Sequence, residues 1–148
     1  MGVMTKINSN SAILFKAMDL HTKSRKEVGN IGEKVAAVYL KRHRHQIIAT
    51  NYTRKTGEID IIARMGNVLH FVEVKTMLTD EFHTVRDTTD YYDPSLNLHG
   101  AKIRKVARTG EWYALEHNWE GEWQVDGCLV WLRRRDGTAR VQYLPHIV

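Results

Sequence analysis

The 148-residue chain carries a single cysteine, Cys128. A disulfide framework within one chain is therefore excluded, and a thiolate zinc site is disfavoured. Cys128 sits in the apolar run "CLVWL" and reads as a small buried hydrophobe. No apolar stretch approaches the ~20 residues that a membrane-spanning helix needs. "SAILFKAM" is too short for the core of a signal peptide with its flanks, so a cytoplasmic setting is the expectation. There is no glycine-rich phosphate loop, which argues against an NTPase. No G-x-S-x-G or comparable nucleophile motif appears. None of the eight histidines shows metal spacing on a helix face. His43 and His45 are a near pair, but they point two ways on a helix, so zinc is not expected. Internal repeats and low-complexity tracts are also missing.

What remains is ordinary for a globular protein: 43% apolar and 26% charged residues, enough chain for one domain with a real core. The formal net charge of +5 is compatible with a polyanionic partner and says nothing about fold. Residues 1–26 are polar, basic and without clean period. They read as a flexible basic leader with one helical turn near Ala12 to Met18, ahead of a single domain at 27–148.

From Val28 the pattern becomes helical. Val28, Ile31, Val35, Val38 and Tyr39 recur at spacings of three and four, ending at the basic "KRHRH". Gly29 and Gly32 in the first turns point to close packing or a helix start. Glu33 is placed near the amino end, where the dipole favours an acid. "QIIATNY", "EIDIIAR" and "VLHFVEVKT" read as three strands, the last two a hairpin turning at "MGN". Met77 to Pro94 reads as an acidic loop. A helix is expected from about Leu98 to Asn118, then a long strand "EWQVDGCLVWLRRR", a turn "RDG" and a last strand "TARVQYLP". The four tryptophans read as core or edge packing. The order αβββαββ implies an α/β fold, a mixed β-sheet flanked by helices.

Charged residues in the central hairpin stand out. Alternation puts Asp60 on a face with Glu58 and Ile62, and Glu73 on a face with Lys75, Phe71 and Leu69. Cross-strand partners lie about 5 Å apart, so two or three carboxylates converge if the register puts both acids on one face. Two like charges 4 Å apart repel by about 4 kcal/mol at an effective dielectric of 20, which a proton, a cation or Lys75 must offset. A hard divalent cation suits carboxylate oxygens and leaves room for water and phosphate oxygens. The same residues also suit the solvated face of a sheet, where a Glu73–Lys75 pair contributes less than ~1 kcal/mol. Spacing alone leaves both readings open.

The helix segment "GNIGEKVAAVYL", then "GEIDIIA", then "VLHFVEVK", with "QVDGCLVWL" following, resembles the YraN-type family of small endonuclease-like proteins. That family is placed in the PD-(D/E)XK nuclease superfamily, a restriction-endonuclease-like core close to archaeal Holliday-junction resolvases. The likeness runs from about Arg25 to Ile147. It implies that Asp60 and Glu73 bind Mg²⁺ or Mn²⁺ with help from Glu33, and that Lys75 assists the attacking water. Glu33, Asp60, Glu73 and Lys75 thus form the implied catalytic set. It leaves Glu58 between strand support and metal contact, and gives Asp126 a family position on the later strand. Pro94 and Lys102 match the start of the second helix. The chain departs from the family pattern at Thr53, Met77 and Leu96, and in its longer, more acidic loop.

Lys102, Lys105 and Arg108 recur at helical spacing and are, with Arg54, the candidates for contact with a nucleic-acid backbone. The triplet Arg133 to Arg135 reads as a solvated strand end. Three functions fit: a metal-dependent endonuclease acting on DNA, branched or single-stranded; a catalytically silent nucleic-acid-binding module of the same fold; or an interaction protein that uses its acidic loop. Analogy with resolvases adds a homodimer to the expectations.

Overall fold

Ser24 starts the first helix, α1 (Arg25–Arg42), in a computed structural model that describes residues 6–7, 12–14, 17–82, 98 and 100–148. Its hydroxyl accepts from the Glu27 amide at 3.1 Å, and the Glu27 carboxylate accepts from the Ser24 amide at 3.2 Å, a reciprocal capping box. Val28, Gly32, Val35, Ala36 and Leu40 form the buried stripe. Because α1 begins at Arg25, Glu33 lies in its third turn. The expected placement near the amino end is corrected, and with it the dipole argument, which holds only within the first turn.

Among the described residues, seven strands form one sheet: β1 (Lys6–Ile7), β2 (Ala12–Leu14), β3 (Gln46–Arg54), β4 (Gly57–Met65), β5 (Val68–Thr79), β6 (Glu122–Arg133) and β7 (Ala139–Leu144). Their order across it is β1-β2-β7-β6-β5-β4-β3. β3, β4 and β5 are an antiparallel meander. The second helix, α2 (Gly100–Glu116), carries the chain across so that β6 runs parallel to β5, and β7 returns antiparallel to β6. The mixed α/β fold expected from αβββαββ is present, with two short strands added at its start.

Those two strands correct the reading of the leader. Ala12–Leu14 pairs with β7 where a helical turn was expected. The Leu20 amide donates to the Arg134 carbonyl at 2.7 Å and its side chain is buried, so the chain packs on the sheet before α1 begins. β5 is also longer than expected. Its parallel register with β6 continues to Thr79 opposite Arg133, so Met77 to Thr79 are strand and not loop. The expected acidic loop then splits. Asp80 pairs with Arg134 at 2.8 Å, Glu81 pairs with Arg135, and the Phe82 ring lies under Arg133 and Arg140. The arginine triplet is thus occupied within the chain, Arg133 by Asp136 at 2.7 Å. Pro94, Leu96 and the acids beyond Phe82 lie outside the described residues.

One cluster of apolar side chains joins α1 to the sheet through Val35, Leu40, Ile61, Val72, Cys128 and Val130. A second joins α2 to the other face through Ile59, Ile62, Leu69, Phe71, Ile103 and Tyr113. Two glycines set the approach of the helices. A Cβ on Gly32 would lie 1.9 Å from Thr76 Oγ1, and one on Gly110 would lie 2.4 Å from the Phe71 ring, so each helix sits closer than a side chain permits. Trp112 departs from the packing reading: it is 52% exposed on the outer face of α2. No helix among the described residues is long and apolar enough to cross a membrane.

Candidate active site

The site forms where β4 and β5 part. The two strands pair from Met65↔Val68 to Ile61↔Val72, and there the ladder stops. Asp60 is the first residue past the split on β4, and Glu73 the first on β5. Ile59 and Ile62 both pack on the α2 side while Ile61 packs on the α1 side, so alternation breaks at Asp60. Opposite it on β3, Asn51 adopts φ 51°, a left-handed conformation that Asn tolerates better than most residues. The split would leave the Val74 amide without a strand partner. Asp60 Oδ2 accepts from it at 2.8 Å and so closes the gap that the two strands open.

Glu73 follows Leu69 and Phe71 onto the α2 side of the sheet and is 1% exposed. The Lys102 ammonium of α2 reaches its Oε1 at 2.5 Å. Burial first, and then the charge of Asp60, push the Glu73 carboxyl up to about 7, against the opposing pull of Lys102. Asp60 is raised by burial too, while the Val74 amide and Lys102 work the other way. Each of the two carboxyl groups acts on the other's protonation. The two acids are therefore near enough for each to act on the other's charge.

Glu33 comes near Asp60 from α1. Its carboxyl is raised by burial and by Asp60, and Glu58 adds to this, while a side-chain hydrogen bond from Asn51 opposes it. The close seat of Gly32 on Thr76 brings this turn of α1 down to β5. Lys75 is exposed and lines the same cleft of about 730 Å³ as Glu33, Asp60 and Lys102. Of the expected catalytic set, then, Glu33, Asp60 and Lys75 line one cleft, while Glu73 is buried beside it and meets Lys102, which also lines it. Among the described residues, no three His, Cys, Asp or Glu side chains are drawn tightly enough together to enclose a metal ion. The donor set nevertheless fits a hard divalent cation, which takes one or two carboxylates and keeps several waters.

The expected backbone-contact residues separate. Lys102 is at the site, paired with Glu73. Lys105 lines an adjoining cleft of about 420 Å³ with Gly57, Glu58, Ala101 and Lys102. A 2.8 Å hydrogen bond between Thr56 and Thr109 ties the β3–β4 turn to α2 and so fixes that cleft. Arg108 is exposed further along α2. Arg54 turns to Glu116 at 3.5 Å and lies over the Tyr52 ring. Two cations not singled out from the sequence, Lys23 and Arg25, also line the main cleft, together with Arg134 of the arginine triplet. The S-x-x-E capping box at Ser24 was the available signal, since it puts Lys23 and Arg25 at the start of α1.

Asp126 has a different role. It is fully buried and accepts from His70 Nδ1 at 2.6 Å, Gln124 Nε2 at 2.8 Å, the His146 amide at 2.8 Å and the Tyr143 hydroxyl. Burial alone would raise its carboxyl, but these donors hold it below the usual range. It follows the parity of Cys128 onto the α1 side, away from Glu73.

The family model described as "Uncharacterised protein family UPF0102" matches residues 32–136, which include Glu33, Asp60, Glu73, Lys75, Lys102 and Asp126. The chain belongs to the UPF0102 family. A UPF0102 protein of Leifsonia xyli is 37% identical over 123 residues, covering 82% of this chain and 96% of that one. One from Campylobacter lari is 36% identical over 68% of this chain and 80% of its own. One from Geobacter metallireducens is 37% identical over 75% and 77%. UPF0102 is the YraN-type, PD-(D/E)XK nuclease-like family that the motifs resemble. A solved structure titled as Pyrococcus furiosus SfsA in complex with Ca²⁺ covers 97% of this chain at 14% identity and a TM-score of 0.36.

Proposed function

We propose that this UPF0102 protein is a metal-dependent endonuclease that hydrolyses DNA phosphodiester bonds, on branched or single-stranded substrates, with Mg²⁺ or Mn²⁺ as cofactor. The observation that carries the reading is the meeting of Asp60 and Glu73 at the β4–β5 split, with Lys75 on the same cleft. Such a pair is costly unless a cation or a proton belongs between its members. Asp60 and Glu73 would hold the ion, and Glu33 would bind through water. When bound, the ion supplies a Lewis acid for the phosphoryl oxygen and a bound water of lowered pKa. Lys75 would hydrogen-bond the attacking water or balance charge gathering on the phosphate. Lys23 and Arg25 at the rim oppose a polyanion's charge. Glu33, exposed to the same cleft, accepts a proton or a hydrogen bond from water.

Asp60→Asn and Lys75→Ala separate an enzyme from a binding module. With linear, flapped, single-stranded and four-way DNA and Mg²⁺ or Mn²⁺, each change is expected to lower cleavage by about a hundredfold or more while DNA binding persists. If the unmodified protein cleaves none of these substrates with either metal yet binds them, the same fold is a silent nucleic-acid-binding module.

A further inference from the structure

Lys102 makes an unequal contact. Its side chain is 62% exposed, yet its ammonium ends 2.5 Å from a carboxylate that is 2% exposed. A flexible arm from the first turn of α2 thus crosses open space to a buried acid on β5. The ammonium is held mainly by Glu73, and Asp60 and Glu58 attract it as well. Three acids together thus favour its positive charge. Lys102 also lines both clefts: the one that holds Glu33, Asp60 and Lys75, and the one that holds Glu58 and Lys105.

We propose that Lys102 is an exchangeable counter-charge. It neutralises Glu73 while the carboxylates hold no metal, and it leaves Glu73 when they do, turning to the Lys105 cleft to meet a substrate phosphate. This rests on the metal-dependent reading of the site. The physical reason is that a divalent ion on Glu73 and an ammonium on the same carboxylate repel one another at short range. The lysine, with its four-carbon stem and exposed side chain, is the member free to move. The exchange links the two ligands: metal uptake releases a cation for DNA, so each strengthens binding of the other.

The test is Lys102→Met, with Lys102→Arg as a charge-keeping control. Mg²⁺ affinity is measured by calorimetry without DNA at pH 8.5, where Glu73 is ionised. Loss of the competing charge is expected to tighten Mg²⁺ about tenfold, while Lys102→Arg stays near the unmodified protein. DNA binding is then followed against salt, with Ca²⁺ or with EDTA. In the unmodified protein Ca²⁺ is expected to steepen the log–log salt slope by about one, and in Lys102→Met to leave it unchanged. A third measurement needs no variant: the Lys102 ammonium resonance should move toward that of a solvated lysine as Mg²⁺ is added. Equal or weaker Mg²⁺ binding by Lys102→Met, or a Lys102 resonance that ignores Mg²⁺, overturns the exchange and leaves the nuclease reading standing. Absence of metal uptake by every form overturns both.

Discussion

Burial and Asp60 push the Glu73 carboxyl up to about 7, and this sets a pH dependence whose sign can be worked out. An unfolded Glu ionises near its ordinary value of 4.5, so between 4.5 and about 7 folding takes up a proton. The folded state therefore loses stability as pH rises through that window. A metal must displace the same proton, so its affinity should rise by up to about tenfold per pH unit below 7 and level off above. Calorimetric Mg²⁺ titrations between pH 5.5 and 8 check this, and a flat profile would contradict it. Asp126 has the opposite sign: its carboxyl is lowered, so its contribution is present at neutral pH and is lost as pH falls through its folded value. Asp126→Asn disturbs a buried acceptor of four hydrogen bonds and should cost about 2–3 kcal/mol in urea unfolding, with the metal site intact. The nearness of Asp60 to Glu73 was legible in part, because alternation and a short hairpin are local, whereas Glu33, on a separate helix, entered only through the family resemblance. The Lys102–Glu73 contact was not: it joins residues far apart in sequence, through a helix whose rotation on the sheet no local pattern fixes.

At the level of elements, the site depends on two helices that press on the sheet through glycine. Gly32→Ala places a methyl group against Thr76 and should cost about 1–3 kcal/mol in urea unfolding, by overpacking. Because it lifts the turn that carries Glu33, it should also weaken Mg²⁺ binding, whereas Gly110→Ala, which meets Phe71, should act on stability first. Equal effects of the two changes on Mg²⁺ affinity would disprove the assignment of Glu33. The helices and strands were readable from periodicity, the hairpin from its short turn, and the mixed sheet from the element order, though not which strands run parallel in it. Three features escaped. The capping box at Ser24 lay upstream of the apolar stripe that announced α1. The last residues of β5 read as loop because Met77 to Thr79 are only half-buried. The pairing of Ala12–Leu14 with β7 is a long-range contact of a three-residue strand, too short for alternation to show.

Over the whole molecule, the net charge of +5 is not spread evenly. Asp80, Glu81 and Asp136 occupy the arginine triplet, and Arg54 is paired with Glu116. Arg25 and Lys75 line the cleft, with Lys23, which pairs with Glu27 at 3.5 Å, and Lys102, which pairs with Glu73. A substrate strand entering there should bind less tightly as salt rises, each phosphate contact adding about 0.7–0.9 to the slope. Lys23→Ala and Arg25→Ala should flatten that slope while Arg54→Ala leaves it alone. All of this depends on a cation belonging between the two acids at the point where β4 and β5 separate. The direct measurement is anomalous diffraction from a crystal of the unmodified protein soaked in Mn²⁺. The account predicts one manganese bonded to both Asp60 and Glu73 at about 2.1 Å, with the Lys102 ammonium moved off Glu73. A crystal saturated with Mn²⁺ in which Lys102 still holds Glu73 and no manganese touches Asp60 would contradict it.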